Sequence, residues 1–256
     1  MAKVKRPSKL LLATELGRAM IGLGNYVASM PLFSAAPTGD GHPVLVLPGF
    51  GASDASTAPL RHFLKNQNFT PYKWELGRNL GGVDFLEQVI LRAHEISYQS
   101  GRKISLVGWS LGGIYAREVA RRHPHIIRQV ITLGSPFQHV GYGNNIKWLY
   151  EFVTQNEIEA MDSQLIEDMK LPPPVPSTAI YSKGDGVVSW QCCIELEEDH
   201  QTQNIEVSGS HCGLGHNPVV LFCIADRLAQ PEAYWRKFKP NKVQQYLHKD
   251  LKLHLC

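Results

Sequence analysis

Long apolar runs are missing from this sequence, and so is a marked excess of charge of either sign. No stretch is long and clean enough to span a bilayer, so a membrane-spanning helix is not expected. Lys3, Lys5, Arg6 and Lys9 precede the run Leu10-Leu11-Leu12-Ala13 as they would in a secretory signal. Glu15 and Arg18, however, cut that apolar segment too short. A formal net charge of +3, with its cations otherwise dispersed, offers no footprint for nucleic acid. No cluster of His, Cys and Glu has metal-ligand spacing, so neither a metal nor an organic cofactor is expected. Cysteine is scarce and odd in number: Cys192, Cys193, Cys212, Cys223 and Cys256. Without a signal segment this fits a reduced, cytoplasmic compartment. Two arrangements stay open, buried free thiols or a bridge from Cys192 or Cys193 to Cys212. Internal repeats are also absent.

What is present suits one α/β domain spanning residues 1–256. The length allows a well-buried core, and 43% hydrophobic with 19% charged residues is a globular balance. Residues 1–38 form an N-terminal helix and lead-in. Within it, Leu12, Leu16, Ala19, Leu23 and Val27 recur at helical spacing, which predicts an amphipathic helix over 8–29. That helix either docks on the domain through this row or lies on a lipid surface as a peripheral contact. From Pro43 onward, strand-like runs at 44–47, 69–76, 104–107 and 129–133 alternate with helical patterns at about 54–67, 83–98 and 111–122. Asp54 or Ser56 is the expected cap of the first of these helices. The alternation predicts a doubly wound, mostly parallel sheet with helices on both faces. It breaks after Gly134-Ser135-Pro136, where residues 137–176 read as a small helical cap over the site, returned by Pro172-Pro173-Pro174. Strands at 178–181 and 204–207 and a helix at about 217–229 complete the core.

The chemistry is carried by Gly108-Trp109-Ser110-Leu111-Gly112, which sits between a strand and a helix. A serine there occupies a very sharp turn with φ above zero, and side chains at 108 or 112 would collide with the neighbouring strand or helix. A serine hydroxyl needs a base, and the base needs an orienting group. Asp185 follows the strand at 178–181, and His211 follows the strand at 204–207. The order Ser110, Asp185, His211 over three strand ends is therefore read as a catalytic triad. Asp162 and Asp168 are rival acids in the helical insertion. His216 and His200 are rival bases; His216 could also line the pocket, whereas His200 lies in the acidic stretch 195–199, read as a solvated face. His42 and His123 are read as surface or turn residues. The backbone N–H groups of Phe50 and Leu111 are the expected oxyanion donors. Gly49 permits close approach of the substrate, and Gly49, Trp109 and His216 are candidates to line its pocket.

The chain resembles the α/β-hydrolase superfamily, in its lipase/esterase-like part, over residues 40–230. The likeness rests on Leu47-Pro48-Gly49-Phe50-Gly51, which stands where many members carry His-Gly-x-x-Gly. It also rests on Thr132-Leu133-Gly134-Ser135-Pro136. The stretches 39–43, 76–81 and 209–214 are similar to a bacterial branch of that superfamily. The resemblance implies hydrolysis of a small-molecule or lipid ester through an acyl-enzyme. The same parts would serve acyl transfer or cleavage of a thioester or amide. A non-catalytic binding protein on the hydrolase scaffold is the reading from a different class.

Overall fold

Every strand of the sheet runs parallel to its neighbours. The computed structural model of the chain describes residues 4–138 and 168–240. Its strands are β1 (Pro43–Leu47), β2 (Thr70–Tyr72), β3 (Ile104–Trp109), β4 (Ile127–Leu133), β5 (Ser177–Ser182) and β6 (Thr202–Val207). They pair in the order β2-β1-β3-β4-β5-β6. Parallel neighbours require crossovers, and α2 (Ala58–Asn66), α3 (Val83–Ser100) and α4 (Leu111–Arg122) supply those of the first half. Helix α1 (Lys9–Ser29) precedes the sheet and α5 (Pro218–Leu228) follows it.

Side chains of successive strand residues point to opposite faces, so one strand feeds two cores. Val44 and Val46 of β1 pack with Leu60, Phe63 and Leu64 of α2 and Phe222 of α5. Leu45 and Leu47 pack with Val89 and Ala93 of α3 and Ala116 and Val119 of α4. Both faces are covered, which is why the strands read as near-continuous apolar runs. Helix boundaries follow local chemistry. Gly101, at φ 63°, ends α3. Asn217 caps α5 by accepting from the N–H groups of Val219 and Val220.

Several expectations are corrected. The strand expected over 69–76 is only Thr70–Tyr72, because the chain then turns toward Asp54. The Asp54 carboxylate accepts the N–H groups of Trp74 (3.1 Å) and Glu75 (3.2 Å) and does not cap α2. Ser56 does not cap it either; Thr57 occupies the cap position and makes no side-chain cap bond. His42 is fully buried and not at the surface. Glu195 is buried too, because it pairs with Arg117 of α4. No disulfide joins the four described cysteines, Cys192, Cys193, Cys212 and Cys223.

The N-terminal helix forms as expected, with Ser8 capping it through the N–H of Leu11. Its docked face is different. Of the apolar row only Ala19 is buried; the helix docks through Glu15, Ala19 and Tyr26 and leaves Leu12, Leu16, Leu23 and Val27 exposed. The surface it meets is made of loops that present N–H groups, and an acceptor suits these better than a leucine does. Most of the cap expected over 137–176 lies outside the described residues. The Arg117 guanidinium touches both described stretches of it, lying 3.7 Å over the ring of Phe137 and donating to the carbonyl of Leu171 at 2.8 Å. Among the described residues, no helix is long and apolar enough to cross a membrane.

Candidate active site

Ser110 sits between β3 and α4 with φ 52° and ψ −119°. A non-glycine residue held there stores on the order of 1–3 kcal/mol of backbone strain, which the surrounding structure must offset. Two hydrogen bonds fix the turn: Ser110 N–H donates to Leu133 of β4 at 2.8 Å, and Gly113 N–H donates to Ser110 at 3.0 Å. The flanking glycines are required by space. A Cβ on Gly108 would stand 2.3 Å from the carbonyl oxygen of Gly112, and one on Gly112 would stand 2.5 Å from that of Leu47. The collision foreseen from the sequence is therefore real. Gly49 lies directly against the nucleophile turn, its missing Cβ 3.3 Å from the Ser110 Cβ.

Asp185 and His211 meet at the ends of β5 and β6. His211 Nδ1 lies 2.6 Å from Asp185 Oδ2, and both residues are buried. Nδ1–H donates to the carboxylate, so the Nε2 lone pair faces away from Asp185. The other carboxylate oxygen, Oδ1, accepts the N–H groups of Val187 (2.8 Å) and Val188 (2.7 Å), so the acid cannot swing. Burial of the His211 ring disfavours its charged form. The charge and hydrogen bond of Asp185, with the charge of Glu15, outweigh this and raise its pKa above the ordinary value. Gly134, at φ +54°, brings the pair beside the serine turn. A Cβ there would stand 3.2 Å from both Asp185 Oδ2 and His211 Nδ1, and Gly134 follows the Leu133 carbonyl that holds Ser110.

The remaining sequence candidates fall around this centre. Leu111 heads α4, where the first N–H groups of a helix have no partner within it. Phe50 lies in the turn after β1, and Asn79 holds that turn from three directions. Its side-chain amide donates to the carbonyl of Pro48 (2.8 Å), its own N–H donates to Ala52 (2.8 Å), and its carbonyl accepts from Gly51 (2.7 Å). Trp109 donates its indole N–H to the carbonyl of His211 at 3.1 Å and packs on Gly215. His216 is turned toward α1, its Nε2 2.9 Å from the carbonyl of Ala19, and burial lowers its pKa. His200 is exposed. Asp162 lies outside the described residues.

Two residues of this neighbourhood have no role assigned from the sequence. Asn79 sits in the glycine-bracketed stretch 76–81, a turn signal that could have flagged it. Glu15 stood out only as the charge that interrupts an apolar segment, yet its carboxylate reaches the loops of both Asp185 and His211.

A parallel sheet with its serine turn at the carboxyl end of an inner strand defines the class: an α/β protein with a hydrolase-type site. The chain belongs to the α/β hydrolase fold family, whose pattern matches residues 44–177, just over half of its length. Comparison with curated proteins gives no match. Among solved structures it is similar to Aspergillus fumigatus lipase B, with 18% identity and a TM-score of 0.61 over 81% of this chain. It spans 56% of that longer enzyme. It is also similar to the Paleococcus ferrophilus monoacylglycerol lipase, with 14% identity, a TM-score of 0.53, and coverage of 75% of this chain and 96% of that one. The mature Bacillus licheniformis lipase BlEst2 gives 16% identity, a TM-score of 0.53, and coverage of 76% and 94%. At these identities the likeness is one of fold.

Proposed function

We propose that the protein is a serine hydrolase that cleaves carboxylic esters through an acyl-enzyme. The observation that carries this reading is the buried Asp185–His211 pair, set behind Gly134 beside the strained Ser110 turn. In this mechanism His211 Nε2 takes the Ser110 proton as Oγ attacks the ester carbonyl. The Phe50 and Leu111 N–H groups hold the oxyanion. His211 then passes its proton to the leaving alcohol. Water, deprotonated by His211, releases the acid and restores Ser110. Asp185 keeps Nδ1 protonated and balances the imidazolium. Neither Cys212 nor Cys193 competes: burial pushes the Cys212 thiol up to about 11 and that of Cys193 well above its ordinary value. That solved relatives of the same fold are named as lipases supports an ester substrate.

We further propose that α1 seats on an anionic lipid surface. Leu12, Leu16, Met20, Leu23 and Val27 follow one another once per turn and stand exposed, Leu16 by 74% and Met20 by 67%. Lys5, Arg6 and Lys9 are exposed at the helix's amino end, which gives the apolar row a cationic flank.

A fluorophosphonate probe tests the chemistry. It should label the native protein at Ser110 and leave Ser110→Ala unlabelled. His211→Ala should abolish ester turnover, while His216→Ala keeps most of it. Folded native protein that takes no label would overturn the reading. Loss of activity in His216→Ala alone would move the base to His216.

A further inference from the structure

Helix α1 lies outside the family-matched residues 44–177, yet it reaches the loops that carry the acid and the base. Glu15 is the residue that reaches. It is 3% exposed in the middle of the helix. Its Oε1 accepts the N–H of Gly186 at 2.6 Å and the N–H of His211 at 3.2 Å, and its Oε2 accepts the N–H of Cys212 at 3.2 Å. One turn further along, Arg18 holds Glu15 Oε1 at 2.8 Å and donates to the carbonyl of Gly184 at 2.7 Å. Asp185 is thus gripped by its two chain neighbours, and His211 by its own main chain, from a single turn of helix.

The contact is close along the whole turn. A Cβ on Gly186 would stand 2.4 Å from the Leu11 carbonyl carbon, so the loop lies against the helix backbone itself. A buried carboxylate costs several kcal/mol unless its oxygens are satisfied, and here three N–H groups and a guanidinium satisfy them. A leucine at this position would offer those three N–H groups no acceptor. The physical demand at the site is therefore for a carboxylate.

We propose that Glu15 is a positioning residue: its carboxylate spans the Asp185 and His211 loops, fixes the geometry of the pair, and presents a second negative charge to the imidazole. This rests on the reading of His211 as the base. The charged and titratable groups around the ring are Asp185 and Cys212 from the loops and Glu15 and Arg18 from α1, with Cys193 beyond Asp185. Both carboxylates favour the imidazolium, so removing one lets His211 shed its proton at lower pH.

The test combines NMR titration of the His211 imidazole with the rate of fluorophosphonate labelling, on the full chain and on Glu15→Gln and Glu15→Ala. Glu15→Gln keeps an acceptor oxygen and loses the charge. Its His211 pKa should fall by roughly half a unit to one unit, with the labelling rate shifted to lower pH accordingly. Glu15→Ala should lose about tenfold or more in labelling rate, with Glu15→Gln restoring most of it. If Glu15→Ala does not fold, the Glu15→Gln titration decides alone. A wild-type protein that is labelled while the folded variants match it in rate and titration would overturn the role of Glu15. A wild-type protein that titrates as described but takes no label would instead overturn the hydrolase reading.

Discussion

The side-chain amide of Asn79 donates to the carbonyl oxygen of Pro48 at 2.8 Å, and through it a loop beyond β2 holds the turn that carries Phe50. Both groups are buried, so the bond has no substitute in water. The Asn79 main chain closes the same turn through Gly51 and Ala52. In the proposed mechanism this bond sets where the Phe50 N–H points, and an oxyanion donor acts only from the correct place.

Asn79→Asp, nearly the same shape without the donor, should therefore lose kcat by about 10- to 100-fold while KM changes by less than about threefold. Its stability should fall by about 1–3 kcal/mol, since the Pro48 carbonyl is left buried and unpaired. Steady-state kinetics on a soluble p-nitrophenyl ester and thermal unfolding measure the two effects separately. An unchanged kcat in a folded variant would separate this turn from the oxyanion site.

At the opposite end of β1, His42 governs a different property. Its buried ring lies 2.7 Å from Asp40 Oδ1 through Nδ1 and 3.1 Å from Ser105 Oγ through Nε2. A neutral ring fits both, donating to Asp40 and accepting from the hydroxyl. Burial, reinforced by the Arg128 charge and only partly opposed by Asp40, lowers its pKa to about 4. The unfolded chain binds that proton near pH 6.5, so the unfolded state holds more protons between pH 6.5 and about 4. Stability contributed by this site is complete above pH 6.5 and falls as pH drops through that window. The loss at pH 4.5 should be about 2–3 kcal/mol, and His42→Gln should abolish it. Denaturant unfolding at pH 7.0 and 4.5 measures this. Equal pH dependence in the two proteins would assign the acid sensitivity elsewhere.

Much of the sheet and of the candidate site was legible in the sequence because it is encoded locally. The apolar runs that become β1, β3 and β4 needed only their own residues, and α4 begins at Leu111 and ends at Arg122 as its spacing predicts. That Asp185 and His211 meet follows from a rule of topology, that later strand ends carry the expected partners of the serine. What escaped was non-local. Nothing within 8–29 says which side of α1 meets the domain, because the answer depends on N–H groups from Gly186, His211 and Cys212, far along the chain. An apolar row is a guide only where the docking surface is apolar. Similarly, Asn79 has no apolar periodicity, and its role appears only when 76–81 folds back on 48–52.

That misread face leads to the last prediction. Because Glu15, Arg18, Ala19 and Tyr26 occupy the docked side, the row from Leu12 to Val27 is left for another partner. An apolar row with a cationic flank gains twice at an anionic bilayer. Each buried apolar side chain adds about 1.5–3 kcal/mol, and each nearby Lys or Arg adds about 1 kcal/mol. A second copy of the chain would bury the row but repel at Lys5, Arg6 and Lys9. Co-sedimentation should therefore show binding to vesicles containing phosphatidylserine, much weaker binding to pure phosphatidylcholine, and loss of both in Leu16→Glu/Met20→Glu. Both side chains are exposed, so turnover of a soluble ester by that variant should stay within about twofold of wild type while turnover of an emulsified ester falls. Vesicle binding that the double variant retains would exclude α1 as the contact. A protein that stays in the supernatant and sediments as a dimer, with the variant monomeric, would assign the row to a second copy instead.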